Sequence, residues 1–247
     1  MGLVITDVKN VIIIPSYLEV ASLPALLENL GPALNYKDAI LVMDESPSEI
    51  FLEMQRSCIN AMSGTTCKLI FSNHQSKSGR GASVRRGILS AVKLFPDFEF
   101  VVECDADGSH QPEDVIKLIQ SRNNADLLIG SRYMKESKIL GWPISRVFFS
   151  LILNFMIPKL IGVKIKDVTN GLRRYSKPAI EIIVSEEPRT SGFIYLTETV
   201  VLLKNKKLSI SEIPTTFVNR VIGNSTVTFN EILSAMIGLI LILKKDS

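Results

Sequence analysis

At 247 residues, 46% of them hydrophobic, the chain can build one sizeable α/β core, and no Gly-, Ser- or Pro-rich linker divides it. A net charge of +3 is too small and too dispersed to imply nucleic acid as a partner. The excess is nevertheless uneven: from Arg132 to Lys177 ten Lys/Arg stand against two Asp/Glu, a balance that suits phosphate groups or an anionic membrane face.

In chain order, the first half alternates short β-branched runs with helical segments, the pattern of a mostly parallel sheet covered on both faces. The runs Val11–Ile14, Ala39–Met43, Cys67–Phe71, Glu99–Cys104 and Asp126–Ile129 are predicted strands. Glu19–Leu30, Ser48–Met62, Ala82–Leu94 and Pro112–Ser121 are predicted helices, the last opening on a proline whose missing N–H costs little there. Val11–Ile14 is too short for the apolar region of a signal peptide and runs into Pro15, so a cytoplasmic protein is expected. Cys58, Cys67 and Cys104 have neither metal-ligand nor disulfide-framework spacing and read as reduced core thiols.

Open α/β sheets bind ligands outside the carboxyl ends of their strands. There the sequence offers Pro15-Ser16-Tyr17-Leu18-Glu19, Asp44-Glu45-Ser46, Ser78-Gly79-Arg80-Gly81, Asp105-Ala106-Asp107 and Gly130-Ser131-Arg132-Tyr133. Acidic residues at three of these ends can serve base, ribose and metal, an aromatic can stack, and a glycine such as Gly79 lets the backbone approach a ligand. Asp105 and Asp107 can clamp a divalent cation, which takes one or two carboxylates and leaves its other positions to water and phosphates. Alone, the pair can equally solvate a strand end.

The second half is less regular. Asp167 to Tyr175 reads as a turn entering a short strand, Phe193 to Lys204 as a helix and Leu208 to Ile213 as a strand. Two apolar stretches, Val147–Ile157 and Ile232–Leu243, fall short of the ~20 residues that span a bilayer. With the lysines that follow them, they are read as core helices or as helices lying on a membrane surface.

Taken together in this order and spacing, the fragments resemble the family 2 glycosyltransferases of GT-A fold, and within them the dolichol-phosphate mannose synthase-like branch. The landmarks run from Val11 to about Ser225: the strand-end motifs above, His110 and Pro112-Glu113, Ser145-Arg146, Asp167 to Tyr175, Gly192-Phe193 with Glu198, and Pro214, Phe217, Arg220, Gly223 and Ser225. Leu18 stands where that family usually has asparagine, Glu45 where it often has a second aspartate, Arg80 where an apolar residue usually separates two glycines, and Ser109 where the branch has glutamine.

The resemblance implies one GT-A domain over 1–247: a nucleotide-sugar half (1–133), an acceptor half (134–227) and an apolar C-terminal helix (228–247). It implies inverting, metal-dependent transfer of a hexosyl group from a nucleotide diphosphate sugar, GDP-mannose or a UDP-sugar. Pro15, Tyr17, Glu19, Asp44, Gly79, Ala106 and Arg132 would line the donor, with Mg²⁺ or Mn²⁺ held by Asp105 and Asp107. Asp107, Arg132 and Glu198 are the expected catalytic residues. His110 reads as hydrogen-bonded to the strand-end loop rather than as a metal ligand.

For the acceptor, a polyprenyl phosphate is already ionised near neutrality and needs cations rather than a base. Arg146 and Ser150, one helical turn apart, can hold it, with Arg173, Arg220 and Ser225 converging. A saccharide hydroxyl would instead need a base, for which Glu198 or Asp167 is the candidate, although Asp167 also fits as the cap of its turn. The expected location is peripheral on the cytoplasmic face of a membrane, with a membrane-anchored subunit as a further expected partner. A silent scaffold is disfavoured by Asp105 and Asp107 beside Arg132. A dehydrogenase is disfavoured because the glycines do not follow the first strand.

Overall fold

The structure is a computed structural model describing residues 4–190, 192 and 194–219. Seven strands form one sheet in the order β3 (Lys68–Asn73), β2 (Asp38–Asp44), β1 (Asn10–Ser16), β4 (Phe100–Glu103), β7 (Arg173–Ser176), β5 (Leu127–Ser131) and β8 (Ile210–Pro214). All neighbours are parallel except β7, which runs antiparallel to both β4 and β5.

Val11 to Ile14 of β1 are all fully buried, because a central parallel strand is covered on both faces. Strand alternation sends Ile12 and Ile14 toward α1 (Ser22–Leu30), α2 (Ser48–Ala61) and α4 (Pro112–Ile119). Val11 and Ile13 pack toward α3 (Arg80–Leu94), α6 (Lys177–Ser185) and α7 (Tyr195–Asn205), a core that also takes Ile157 and Ile161 from α5 (Ile144–Ile161). Strands β6 (Lys138–Leu140) and β9 (Thr216–Val218) form a separate parallel pair. The three thiols are free, with Cys58 and Cys104 buried, and burial pushes Cys58 and Cys67 up to about 12.

The predicted strands β1 to β5 form within a residue or two of expectation, and three of the four helices do as well. The first helix begins at Ser22 rather than Glu19, because the preceding turn is held open: Leu18 has φ 62° and donates its N–H to Ser46 Oγ at 2.8 Å. This is left-handed backbone, which suits the asparagine usual there better than leucine.

Apolar helix α5 is longer than Val147–Ile157. Its 18 residues are bounded by Pro143 before the first turn and Gly162 at φ 67°, so backbone stops rather than hydropathy set its ends. It is the one helix, among the described residues, long and apolar enough to cross a membrane. Its buried side consists of Asn154, Ile157, Pro158 and Ile161, while Ile144, Phe148, Phe149, Phe155, Met156 and Leu160 are exposed. Ile232–Leu243 lies outside the described residues.

Helix α3 approaches β1 closely at Gly87, where a Cβ would lie 2.5 Å from Ile13 Cγ2 and 3.1 Å from Met43 Cγ. Alanine there gains ~1 kcal/mol of helix propensity but overpacks the core. Gly87→Ala is expected to lose about 1–3 kcal/mol net; a urea midpoint at or above the parent's would contradict this.

Candidate active site

A cavity of about 350 Å³ opens at the carboxyl ends of β1 and β4, where the strand order reverses. One wall carries Pro15, Ser16, Tyr17 and Glu19 from the end of β1; the floor carries Asp105, Ala106, Asp107 and Ser109 from the end of β4. Tyr17 is exposed, with Lys77 Nζ 4.9 Å from its ring centre. Ser22 Oγ donates to Glu19, fixing that carboxylate at the cavity mouth.

Strand β7 gives the site its other side. Antiparallel insertion sets Arg173, the first residue of β7, beside Glu103 of β4 and Ile129 of β5, so the preceding turn 167–171 comes down beside Asp105 and Arg132. Asp105 N–H donates to His110 Nδ1 at 3.0 Å, which leaves the proton on Nε2 to be donated to Asn170 Oδ1 at 3.0 Å. Asn170 Nδ2 in turn donates to the Gly130 carbonyl. His110, fully buried, thus acts as the expected loop brace and stacks edge-on with Phe217.

Asp107 accepts from Ser109 N–H at 3.0 Å in a turn whose next residue, Gly108, has φ 74°. Ser109 Oγ is buried with no hydrogen-bond partner among the described residues. Asp105, Asp107 and Ser109 all line the cavity, and two carboxylates with a neighbouring hydroxyl are hard oxygen donors of the kind that a divalent cation of the Mg²⁺ or Mn²⁺ type takes. Two carboxylates suffice when substrate phosphates complete the shell.

Arg132 lies on the cavity wall, yet its guanidinium is already bound: Nε and Nη2 donate to the two oxygens of Asp167 at 2.8 Å each, and Nη2 to Thr169 Oγ1 at 2.6 Å. Burial pushes the Asp167 carboxyl up, but the Arg132 charge and hydrogen bonds outweigh this and hold it below its ordinary value. Tyr133, Trp142 and Phe217 surround the guanidinium at 5.4–5.6 Å. Arg146 stacks on the same indole at 4.1 Å, so Trp142 bridges two cavity arginines.

Other expected site residues are placed elsewhere. Asp44 is fully buried, because the last residue of a central strand is covered by both neighbours. Its carboxylate accepts from Ser46 N–H at 2.8 Å, Ser46 Oγ and Asn73 Nδ2 at 3.0 Å, and Glu45 lines the cavity instead. Glu45 is itself clamped to Ser78 and Arg86.

Glu198 lies beside a second cavity of about 250 Å³. In the first turn of α7 it accepts from Arg189 N–H at 2.8 Å, Thr190 N–H at 3.1 Å and Thr190 Oγ1 at 2.6 Å, a grip that orders the loop before the helix. Arg173 is fully buried and spends its guanidinium on the carbonyls of Asn170, Leu196 and Val168. Ser150 accepts from Tyr133 Oη at 2.6 Å and touches Asn154, off the cavity wall. Gly79, at φ 98°, starts α3 on the wall as expected. Arg220 and Ser225 lie outside the described residues.

Two contributors, Glu103 and Trp142, escape the motif reading, and so does the role of Arg80, which stands there only as a member of the glycine run. Arg80 donates to both Glu103 and Asp105. A sequence signal existed, since arginine in the first turn of a helix opposes the positive end of the dipole and calls for a local anion.

An open, mostly parallel sheet with paired carboxylates and two arginines at its switch point defines a nucleotide-sugar transferase fold of the GT-A type. Residues 11–183 match the sequence pattern of Glycosyl transferase family 2, and the chain belongs to that family. It is 29% identical over 213 residues (86% of this chain, 85% of the relative) to an undecaprenyl-phosphate mannosyltransferase of Micrococcus luteus. It is 29% identical over 229 residues (92% and 84%) to a polyprenol monophosphomannose synthase of Mycolicibacterium smegmatis. Within the family it groups with the dolichol-phosphate mannose synthase-like proteins. A similar solved structure is glucosyl-3-phosphoglycerate synthase of Mycobacterium tuberculosis with Mn²⁺, UDP and phosphoglyceric acid. Its TM-score is 0.63 at 13% identity over 96% of this chain and 78% of that one, a likeness of fold.

The Arg132–Asp167 pair gives a pH-dependent expectation. Asp167→Asn leaves a buried guanidinium without its counter-charge and should cost about 3–5 kcal/mol at pH 7. Because the folded carboxyl lies below its ordinary value, its contribution is full at neutral pH and fades as pH falls through the carboxylate range. Urea unfolding should therefore show the gap between parent and variant narrowing from pH 7 to about pH 3; a gap independent of pH would refute this account.

Proposed function

We propose that the protein transfers a hexosyl group, with inversion, from GDP-mannose or a UDP-sugar to a polyprenyl phosphate at the cytoplasmic face of a membrane. The observation that carries the choice of acceptor concerns what a base would need. Glu198 is turned to a loop outside the cavity, and Asp167 is locked on Arg132. Neither carboxylate candidate stands ready to take a proton from a sugar hydroxyl. A phosphate monoester, with a second pKa of about 6, brings a nucleophile already ionised.

In this reading Tyr17 and Glu19 hold the nucleoside side of the donor, and Asp105 and Asp107 would hold Mg²⁺ or Mn²⁺ at its diphosphate. Bound there, the metal would supply charge stabilisation for the departing diphosphate. Arg146 orients the acceptor phosphate, restrained by Trp142 and by its bond to Asn219 Oδ1 at 3.1 Å. A phosphate oxygen of the lipid attacks the anomeric carbon as the bond from that carbon to the diphosphate breaks, giving the glycosyl lipid phosphate and a nucleoside diphosphate. The homologues named for undecaprenyl-phosphate, polyprenol and dolichyl-phosphate transfer support this class of acceptor.

Helix α5 supplies the membrane contact. Arg146 sits in its first turns on the cavity wall, and the exposed Phe148, Phe149, Phe155 and Met156 continue from it. Asn154 ties the helix to the domain through Val168 N–H and Thr169 Oγ1, both at 2.9 Å. A helix fastened along one side and apolar on the other lies in an interface rather than across it.

Asp107→Ala is expected to cut sugar transfer by at least ~100-fold with an unchanged circular dichroism spectrum; metal-dependent turnover at the parental rate would sink the metal assignment. Arg146→Ala should depress transfer to polyprenyl phosphate by at least ~10-fold, and an unaffected rate would rule out the lipid-phosphate acceptor site. Screening labelled GDP- and UDP-sugars against polyprenyl phosphate, then against saccharide acceptors, decides donor and acceptor together.

A further inference from the structure

Arg80 lies directly against Asp105, one of the two carboxylates assigned to the cation. It is the first residue of α3, its side chain is only 9% exposed, and it lines the cavity. Nε and Nη2 converge on one oxygen of Asp105, Oδ1, at 2.8 and 2.7 Å, while Nη1 donates to Glu103. Glu103 is fully buried and its second oxygen accepts from Tyr175 Oη at 2.9 Å, so the arginine is anchored from behind. The slot is shaped for it: a Cβ on Gly171 would stand 2.1 Å from Nη2 and 2.8 Å from Cζ, and the Gly171 carbonyl lies 3.4 Å from Nη2.

We propose that Arg80 makes divalent-cation binding conditional on the donor diphosphate. Resting on the reading that Asp105 and Asp107 are the metal ligands, the inference concerns how available Asp105 is. Held by two N–H groups, Oδ1 is withdrawn, so a cation cannot chelate both oxygens of Asp105. A fixed positive charge also lies against the same carboxylate. Mg²⁺ and Mn²⁺ are therefore bound weakly by the protein alone, and the diphosphate oxygens complete both the coordination shell and the charge balance. Linkage is reciprocal: the metal raises nucleotide affinity by the same factor. Arg80 is thus a specificity-determining residue for the order of assembly, acting through Asp105 without touching the reacting atoms.

The test uses the full chain and Mn²⁺ alone, with the free aquo ion counted by electron paramagnetic resonance and the titration repeated with GDP or UDP. Arg80→Met removes the grip but leaves Glu103 a buried, unpaired carboxylate. The double variant Arg80→Met/Glu103→Gln keeps net charge and an acceptor for Tyr175 Oη. It is expected to bind Mn²⁺ alone about tenfold tighter or more, and to lose a similar factor from the enhancement by nucleotide. Gly171→Ala, which crowds the guanidinium off its seat, should shift Mn²⁺ affinity in the same direction. A folded double variant with unchanged or weaker Mn²⁺ affinity overturns the proposal. Asp105→Asn/Asp107→Asn separates the two failures: if it abolishes Mn²⁺ binding, an unmoved double variant defeats only the role of Arg80. If Mn²⁺ binding persists in it, the metal assignment itself falls and this proposal with it.

Discussion

A buried carboxylate, Glu103, governs the geometry of the catalytic end of the sheet. A charge taken out of water must be met by an opposite charge and by hydrogen bonds, or it costs several kcal/mol. Glu103 meets that demand with Arg80 from the start of α3 and Tyr175 from β7, drawing a helix terminus and an antiparallel strand to the end of β4. Asp105, two residues on, shares the same arginine. The floor of the cavity is thereby fixed by residues that need never meet a substrate.

A second ionic pair does the same work on the far wall. Arg132 and Asp167 join the end of β5 to the turn before β7, and three aromatic rings fill the space around the guanidinium. Trp142 extends this arrangement to Arg146 and so to α5. The cavity is thus acidic on its floor and basic and aromatic on one wall, a polarity that suits the anionic donor and acceptor of the proposed reaction. On the proposed reading the carboxylates would serve the group that departs, and the arginine wall adjoins the apolar helix from which a lipid would arrive.

Much of this was legible in the residues alone. Continuous β-branched runs mark β1 to β5, because central parallel strands are buried on both faces, and reading outward from their ends finds Tyr17, Glu19, Asp105, Asp107 and Arg132. What sequence cannot show is which way a polar side chain turns once there. Asp44 and Glu45 are adjacent and equally acidic, yet one is sealed beneath Ser46 and Asn73 while the other reaches the cavity. Arg173 and Glu198 look like site residues and instead bind backbone, since carbonyls and N–H groups of irregular turns exert no recognisable pattern. Helix α6 was detectable: Ser176 caps it by accepting from Ala179 N–H, with Pro178 in its first turn. The three-residue strands β6 and β9 are too short for any periodicity to appear.

The position of β7 reaches beyond the site. It lies between β4 and β5, though it follows β5 by more than forty residues in sequence. A growing chain that has completed β5 still has no partner for it: β4 waits for β7 on one side, and β5 waits for β7 and β8. Segments 4–133 and 134–219 are therefore interleaved in one sheet, and the cavity is complete only once the polypeptide has added Asn170 and Gly171, then Leu196 and Phe217. Assembly of this kind depends on distant contacts, which fold slowly and leave strand edges open to wrong partners in the meantime. A fragment ending near residue 133 would carry Asp105 and Asp107 with a gap one strand wide beside them, so, if these residues hold the donor as proposed, exchanging donor specificity between relatives requires grafts that travel with their own β7.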